Sequence, residues 1–214
     1  MIAMTAQELV RRYPSLYHMA ELGSWPSIQR HGLLSTTALL DLFEIKGEQR
    51  FRVESRWRAR SETINHPLYG KGVVRDQKPM PEHELQKCLD GVTPQEWYEF
   101  LNGKCFFWAT QDRLLRMLQA WAYRNRSHCV LTVDTGGLVE KHAKRIALCS
   151  FNSGFAYDQR KRGLDSFRPL KEYQSPWVAE VAVDYSVPDV AVHTLKVEEW
   201  GKDKRIRVIW ERDR

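Results

Sequence analysis

Two periods alternate along the chain, and together they predict an α+β domain of short helices and short strands. Apolar positions recur at helical spacing over residues 5–13. Tyr13-Pro14 should end that helix, because a residue before proline avoids helical backbone. Leu16 to Met19 reads as a strand. Ser24 to Gly32 carries both marks of a helix: Ser24 to cap it, Pro26 in the first turn and Gly32 to close it. A further helix is predicted from Ser35 to Leu42. Residues 46–65 read as one longer, charged helix anchored by Phe51, Val53, Trp57 and Ile64.

A polar stretch rich in glycine and proline follows from His66 to Pro81, with one short strand at Gly72 to Asp76. Helices are predicted at 82–89 and 94–102. Cys105-Phe106-Phe107-Trp108-Ala109 is strongly β-prone. Thr110 then caps an amphipathic helix over 111–124, with Leu114, Leu115, Leu118, Trp121 and Ala122 on its apolar face. Strands at 129–133 and 145–149 flank a short helix at 137–143. Residues 150–176 are polar and irregular, and strands at 177–184, 190–197 and 206–210 complete the pattern. No repeat or linker interrupts it, so residues 1–214 read as one domain with a helical, charged insertion at about 44–102.

Composition narrows the class. A chain of 214 residues with 43% hydrophobic and 11% aromatic side chains can bury a real core. No apolar run reaches the roughly 18 residues that cross a bilayer, and Met1 to Arg12 lacks the charged-then-apolar layout of a signal peptide. The expectation is a cytoplasmic protein with no membrane partner. Cys88, Cys105, Cys129 and Cys149 are widely spaced, without a CxxC pair, and read as free thiols. Neither disulfides nor a metal are expected. The histidines at 66, 83, 128, 142 and 193 show no ligand spacing.

A net charge of +6 favours a polyanionic partner. Its distribution matters more than its size. Arg50, Arg52, Arg56, Arg58 and Arg60 crowd one segment, offset by Glu48, Glu54 and Glu62. Arg160, Lys161, Arg162, Arg168 and Lys171 crowd another, with fewer acids nearby. There they interleave with Phe151, Phe155, Tyr157 and Phe167. Such a mixture suits a nucleic acid strand, phosphates on the cations and bases on the rings.

Three positions carry candidate chemistry. Val178-Ala179-Glu180-Val181-Ala182-Val183 sets one carboxylate in an apolar strand, where burial is expensive unless it opens onto a cleft. Leu16-Tyr17-His18-Met19-Ala20 does the same with a histidine, and the aromatic strand lies between them in the sequence. No glycine-rich phosphate loop of the Walker or Rossmann kind is present.

This order resembles the ADP-ribosyltransferase superfamily, in the branch with a histidine–aromatic–glutamate pattern, closest to the DarT-type enzymes that modify nucleic acid. The matching pieces are Leu16 to Ala20 with His31-Gly32-Leu33-Leu34-Ser35, Cys105 to Ala109, and Val178 to Val183. The chain is also similar to a family of uncharacterised bacterial proteins sharing the LYHMAE, GSWPSI and HGLLST segments. The superfamily resemblance implies a split pair of β-sheets gripping NAD, used as a substrate, with no metal. It would place His18 on the adenosine ribose, Met19 and Ala20 beside the nicotinamide amide, and Phe107 or Trp108 against the nicotinamide ring. Glu180 would stabilise charge at the anomeric carbon, assisted by Arg75 or by one of Arg50 to Arg60. Arg160, Lys161, Arg162 and Arg168 would hold the acceptor. The implied activity is mono-ADP-ribosylation of nucleic acid, mRNA or single-stranded DNA, in a toxin–antitoxin or anti-phage setting, with an antitoxin or chaperone as protein partner. The alternatives are a non-catalytic module of the same fold that binds RNA or protein, and an RNA 2′-phosphotransferase-like enzyme.

Overall fold

The structure, a computed structural model, describes residues 4–202 and 204–213. In chain order the strands are β1 (Ser15–Glu21), β2 (Leu33–Leu34), β3 (Glu62–His66), β4 (Gly70–Val74), β5 (Lys104–Trp108) and β6 (His128–Asp134). They continue as β7 (Ile146–Cys149), β8 (Arg168–Pro169), β9 (Glu180–Asp184), β10 (Ser186–Val187), β11 (Thr194–Trp200) and β12 (Arg205–Glu211). The first five helices are α1 (Ala6–Arg12), α2 (Trp25–His31), α3 (Thr36–Leu42), α4 (Gly47–Glu54) and α5 (Glu82–Leu85). Then come α6 (Pro94–Asn102), α7 (Gln111–Gln119), α8 (Thr135–His142) and α9 (Val190–His193). The fold is α+β.

Eight strands make one sheet in the order β12-β11-β6-β1-β5-β9-β7-β8, and each pairing within it is antiparallel. Its centre is also its weakest seam. β1 pairs with β6 over its whole length but meets β5 at one register pair, Tyr17↔Trp108. Two four-stranded halves therefore diverge past that point. Residues of β1 beyond Tyr17 have no strand pairing on the β5 side, and this opening creates the cavity described below.

Burial explains the strand order. Six of the seven residues of β6, His128 to Val133, are buried, as suits a strand covered on both faces. One face packs Leu16, Phe107, Leu131, Val133 and Val181 against α1, α2 and α8 in the main core. The other face of the β5–β9 half packs Ala182 and Cys149 against Trp97, Tyr98 and Leu101 of α6. All four cysteines are buried free thiols.

Several expectations need correction. The segment 46–65 is not one helix: α4 stops at Glu54, and residues 62–74 form the β3–β4 hairpin, with a small core of its own around Leu40, Phe43, Val53, Ile64 and Val74. Arg58 is the reason for the stop. Its buried guanidinium turns back to the Val53 carbonyl of the last helical turn and donates to Asn102 Oδ1 at 2.9 Å. The insertion is thus mixed rather than helical. Residues 190–197 are not one strand either. Val190–His193 make a turn of helix, closed by Thr194 Oγ1 donating to the Val190 carbonyl at 2.9 Å, and β11 runs on to Trp200. The 111–124 helix ends at Gln119, where Ala120 turns to extended backbone. Ser24 precedes α2 without capping it through its side chain. Gly32, by contrast, is required: its φ is 78°, and a Cβ there would meet Pro188 Cα at 2.5 Å.

Candidate active site

A cavity of about 1060 Å³ opens at the seam between the two halves of the sheet and extends under the β3–β4 hairpin. His18, Met19, Ala20, Arg75, Phe106, Trp108, Arg113, Ser153 and Glu180 all contribute to its wall. Residues separated by up to 162 positions in sequence are thereby gathered around one space.

The carboxylate is positioned by the sheet register. Tyr17, Trp108, Glu180 and Cys149 form one row across β1, β5, β9 and β7. Cross-strand neighbours share a face about 5 Å apart at Cβ, so the Trp108 ring flanks the Glu180 carboxyl. Glu180 is 4% exposed, and the Ser153 backbone N–H lies 3.2 Å from each of its oxygens. Burial pushes its pKa up to about 7, against the pull of the Ser153 hydroxyl and N–H and of the positive charges of Arg113 and Arg162. It therefore exchanges its proton near neutrality.

The histidine is held just as firmly. His18 Nδ1 is 2.8 Å from the Phe106 carbonyl across the seam. A carbonyl only accepts, so Nδ1 carries the hydrogen and Nε2 keeps a free lone pair. Burial lowers its pKa to about 4, opposed by the Phe106 hydrogen bond and reinforced by the charge of Arg75. At neutral pH the ring is uncharged, a hydrogen-bond acceptor suited to a hydroxyl.

Arg75 follows β4 and reaches across the cavity. Its Nη1 donates to the Met19 carbonyl at 3.1 Å, its Nη2 lies 3.3 Å from His128 Nδ1, and its guanidinium sits 5.3 Å from the centre of the Tyr123 ring. None of its described contacts is a carboxylate, so its charge is balanced by no direct ion pair. Among the sequence alternatives, Arg50 is tied to Asp41 and Glu54, and Arg58 holds α4.

Other expectations separate. Phe107 is 1% exposed in the main core and faces away from the cavity; Phe106 and Trp108, one position to either side, line it. Strand alternation decides between them. Arg162 is 1% exposed and cannot contact a strand of nucleic acid. It donates to the Ser153 and Phe155 carbonyls at 3.1 and 2.9 Å and to Asp158 at 2.6 Å, so it folds the loop that offers Ser153 to Glu180. Arg160, Lys161 and Arg168 are exposed but do not line the cavity, and Arg168 pairs with Asp165 at 3.1 Å. Arg113 and Arg116, which sequence reading passed over, do line it. Their signal was present, since positions i and i+3 share a helix face, but nothing in the sequence said which way that face turns.

A second polar group lies elsewhere. His142 Nε2 and His193 Nε2 lie 2.6 and 3.1 Å from the two oxygens of Asp189, and Arg145 Nη2 lies 2.7 Å from His142 Nδ1. Arginine only donates, so His142 Nδ1 accepts and its Nε2–H points to Asp189. The group ties α8 to α9 through satisfied hydrogen bonds.

Residues 14–194 match DUF7002, a family of unknown function. The chain belongs to that family. No curated protein matches it. The matched span runs from the start of β1 to the start of β11, so the DUF7002 region contains every cavity residue named above. Among the described residues, no helix is long and apolar enough to cross a membrane.

Proposed function

We propose that this protein is an NAD-dependent ADP-ribosyltransferase that acts on nucleic acid. The observation that carries the reading is the convergence of His18, Arg75, Trp108 and a buried, titratable Glu180 on one cavity at a split in the sheet. Its volume of about 1060 Å³ lies just above the range for small-molecule sites, roughly 300–1,000 Å³, which suits a dinucleotide.

Each residue has a role that its surroundings support. The free Nε2 of His18 accepts a ribose hydroxyl. Trp108 walls the nicotinamide ring, and Arg75 supplies fixed positive charge to a phosphorylated substrate. Ionised Glu180 stabilises the positive charge that grows at the anomeric carbon as the bond to nicotinamide breaks. Nicotinamide leaves with the bonding electron pair; the acceptor nucleophile bonds to the same carbon and gives up its proton. A flat aromatic wall and a dry carboxylate favour such an oxocarbenium-like state, because fixed charge acts strongly where water is excluded.

The test uses NAD labelled on the adenylate phosphate, incubated with the protein and, in turn, RNA, single-stranded DNA, duplex DNA or protein. Label should appear on one nucleic acid and vanish with Glu180→Gln. Intact NAD in every incubation, with no bound nucleotide by calorimetry, would overturn the reading.

A further inference from the structure

The cations expected to bind nucleic acid, at 160–168, lie off the cavity, while two others stand on its wall. Arg113 and Arg116 occupy one face of α7 and line the cavity beside Trp108 and Trp121. Among the described residues, neither guanidinium has an ion pair or a side-chain hydrogen bond. Arg113 is near enough to Glu180 to lower its pKa through its charge. Trp121, two residues past the end of α7, is 58% exposed although it is one of the largest apolar side chains of the chain. Two unneutralised cations and two indole faces therefore border the same opening, and the carboxylate stands behind them.

We propose that this face of α7 is the docking site for a single strand of nucleic acid, with phosphates on Arg113 and Arg116 and a base stacked on Trp121. The inference rests on the ADP-ribosyltransferase reading for its purpose, but not for its test. Three observations favour a strand over other occupants. Unpaired arginines call for an anionic ligand with fork-like oxygens. An exposed indole next to them calls for a flat ring rather than an aliphatic chain. The pair of cations is spaced three residues apart on a helix, about 5–6 Å at Cβ, which adjacent phosphates of a strand can span. The arrangement also puts the bound strand's nucleophile beside Glu180, where transfer would occur.

The experiment is fluorescence anisotropy with a labelled 12-nucleotide single-stranded DNA of mixed sequence, without NAD, at several salt concentrations. The full chain is compared with Arg113→Gln/Arg116→Gln, Trp121→Ala and Arg160→Gln/Lys161→Gln/Arg168→Gln, each checked for folding by circular dichroism and melting temperature. The α7 double variant should bind at least tenfold more weakly. Its log–log salt slope should flatten by about 1.4, the loss of two phosphate contacts at roughly 0.7 each. Trp121→Ala should weaken binding about tenfold at unchanged salt slope, the size of one lost base stack. The loop variant should bind as the parent does. Loss confined to the loop variant, or no binding by the parent, would overturn the proposal. So would equal binding of a labelled poly-glutamate peptide to the α7 face, which would make the acceptor a protein. Strand binding that follows the α7 variants, with NAD neither consumed nor bound, would leave this site standing and remove the reading of the previous subsection.

Discussion

Replacing Glu180 with glutamine should stabilise the fold while removing the transferase activity proposed above. The buried carboxyl has its pKa raised from the ordinary 4.5 to about 7, chiefly by burial. In the unfolded chain it loses its proton at 4.5; in the native state it keeps it until about 7. Between those values the native state binds more protons, so stability falls as pH rises through the window and levels off above it. At roughly 1.4 kcal/mol per pH unit, an interval of about 2.5 units makes ionised Glu180 a burden of about 3 kcal/mol at pH 8. Glutamine has the same shape, can still accept from the Ser153 N–H, and carries no charge to desolvate. A chain of this size shifts its melting temperature by about 2–4 °C per kcal/mol. Glu180→Gln should therefore melt about 6–12 °C higher than the parent at pH 8. At pH 4, where both states of the parent are mostly protonated, the two should coincide within about 1 °C. Transfer should drop on the order of 10²-fold or more, the scale for removing one charge-stabilising group. Differential scanning fluorimetry across pH 4–8, with the NAD assay alongside, measures both. A melting shift independent of pH, or a less stable variant at pH 8, would refute the claim that the site stores a desolvated carboxylate.

Four further outcomes follow from the same geometry. The proposed transfer should speed up with pH through about 7 as Glu180 ionises, with no second step between 5 and 7 from His18, whose pKa is about 4; a bell centred on 6 would contradict this. His18 should make the fold acid-sensitive: the unfolded ring takes a proton below 6.5 and the buried one only near 4, so stability falls by about 3 kcal/mol as pH drops from 6.5 to 4. Urea titrations of His18→Gln should lack that loss. Arg162→Ala should destabilise by about 2–3 kcal/mol, because it leaves the buried Ser153 carbonyl and the part-buried Phe155 carbonyl without their donor and frees half-exposed Asp158, whereas exposed Arg160→Ala should change stability by less than about 0.5 kcal/mol; similar values for the two would show that the loop is held by other contacts. Trp108→Ala should raise the NAD concentration needed for half-maximal turnover, while Phe107→Ala should cost about 3–5 kcal/mol of stability as a core truncation; chemical denaturation and steady-state kinetics separate the two effects.

Much of the fold was legible because local chemistry agreed with tertiary need. The capping box of Thr93 and Glu96 places α6 at Pro94–Asn102, the span its sequence predicts. The β-prone run at 105–109 appears as β5 within one residue. The reading failed where a distant contact overrode local preference. Arg58 ends α4 by reaching Asn102, 44 residues away, and Asp189 holds His193 in a helical turn, with His142 of α8 on its other oxygen, where alternation predicted a strand.

The candidate site divides in the same way. By itself the sequence determined which side chains are chemically conspicuous: a carboxylate and a histidine in apolar strands, and an aromatic strand between them. Those follow from burial penalties that any fold must meet. Only the tertiary structure decided that they share a cavity, because a single register pair at the β1–β5 seam opens the sheet beside His18 and aligns Trp108 with Glu180. It also decided that Trp108 rather than Phe107 faces that space, that Arg162 is a buried brace, and that Arg113 and Arg116 stand at the opening. Charge and ring type are written residue by residue, but the direction in which a side chain points depends on strand register and helix rotation, and these are set by packing against elements far away in the chain.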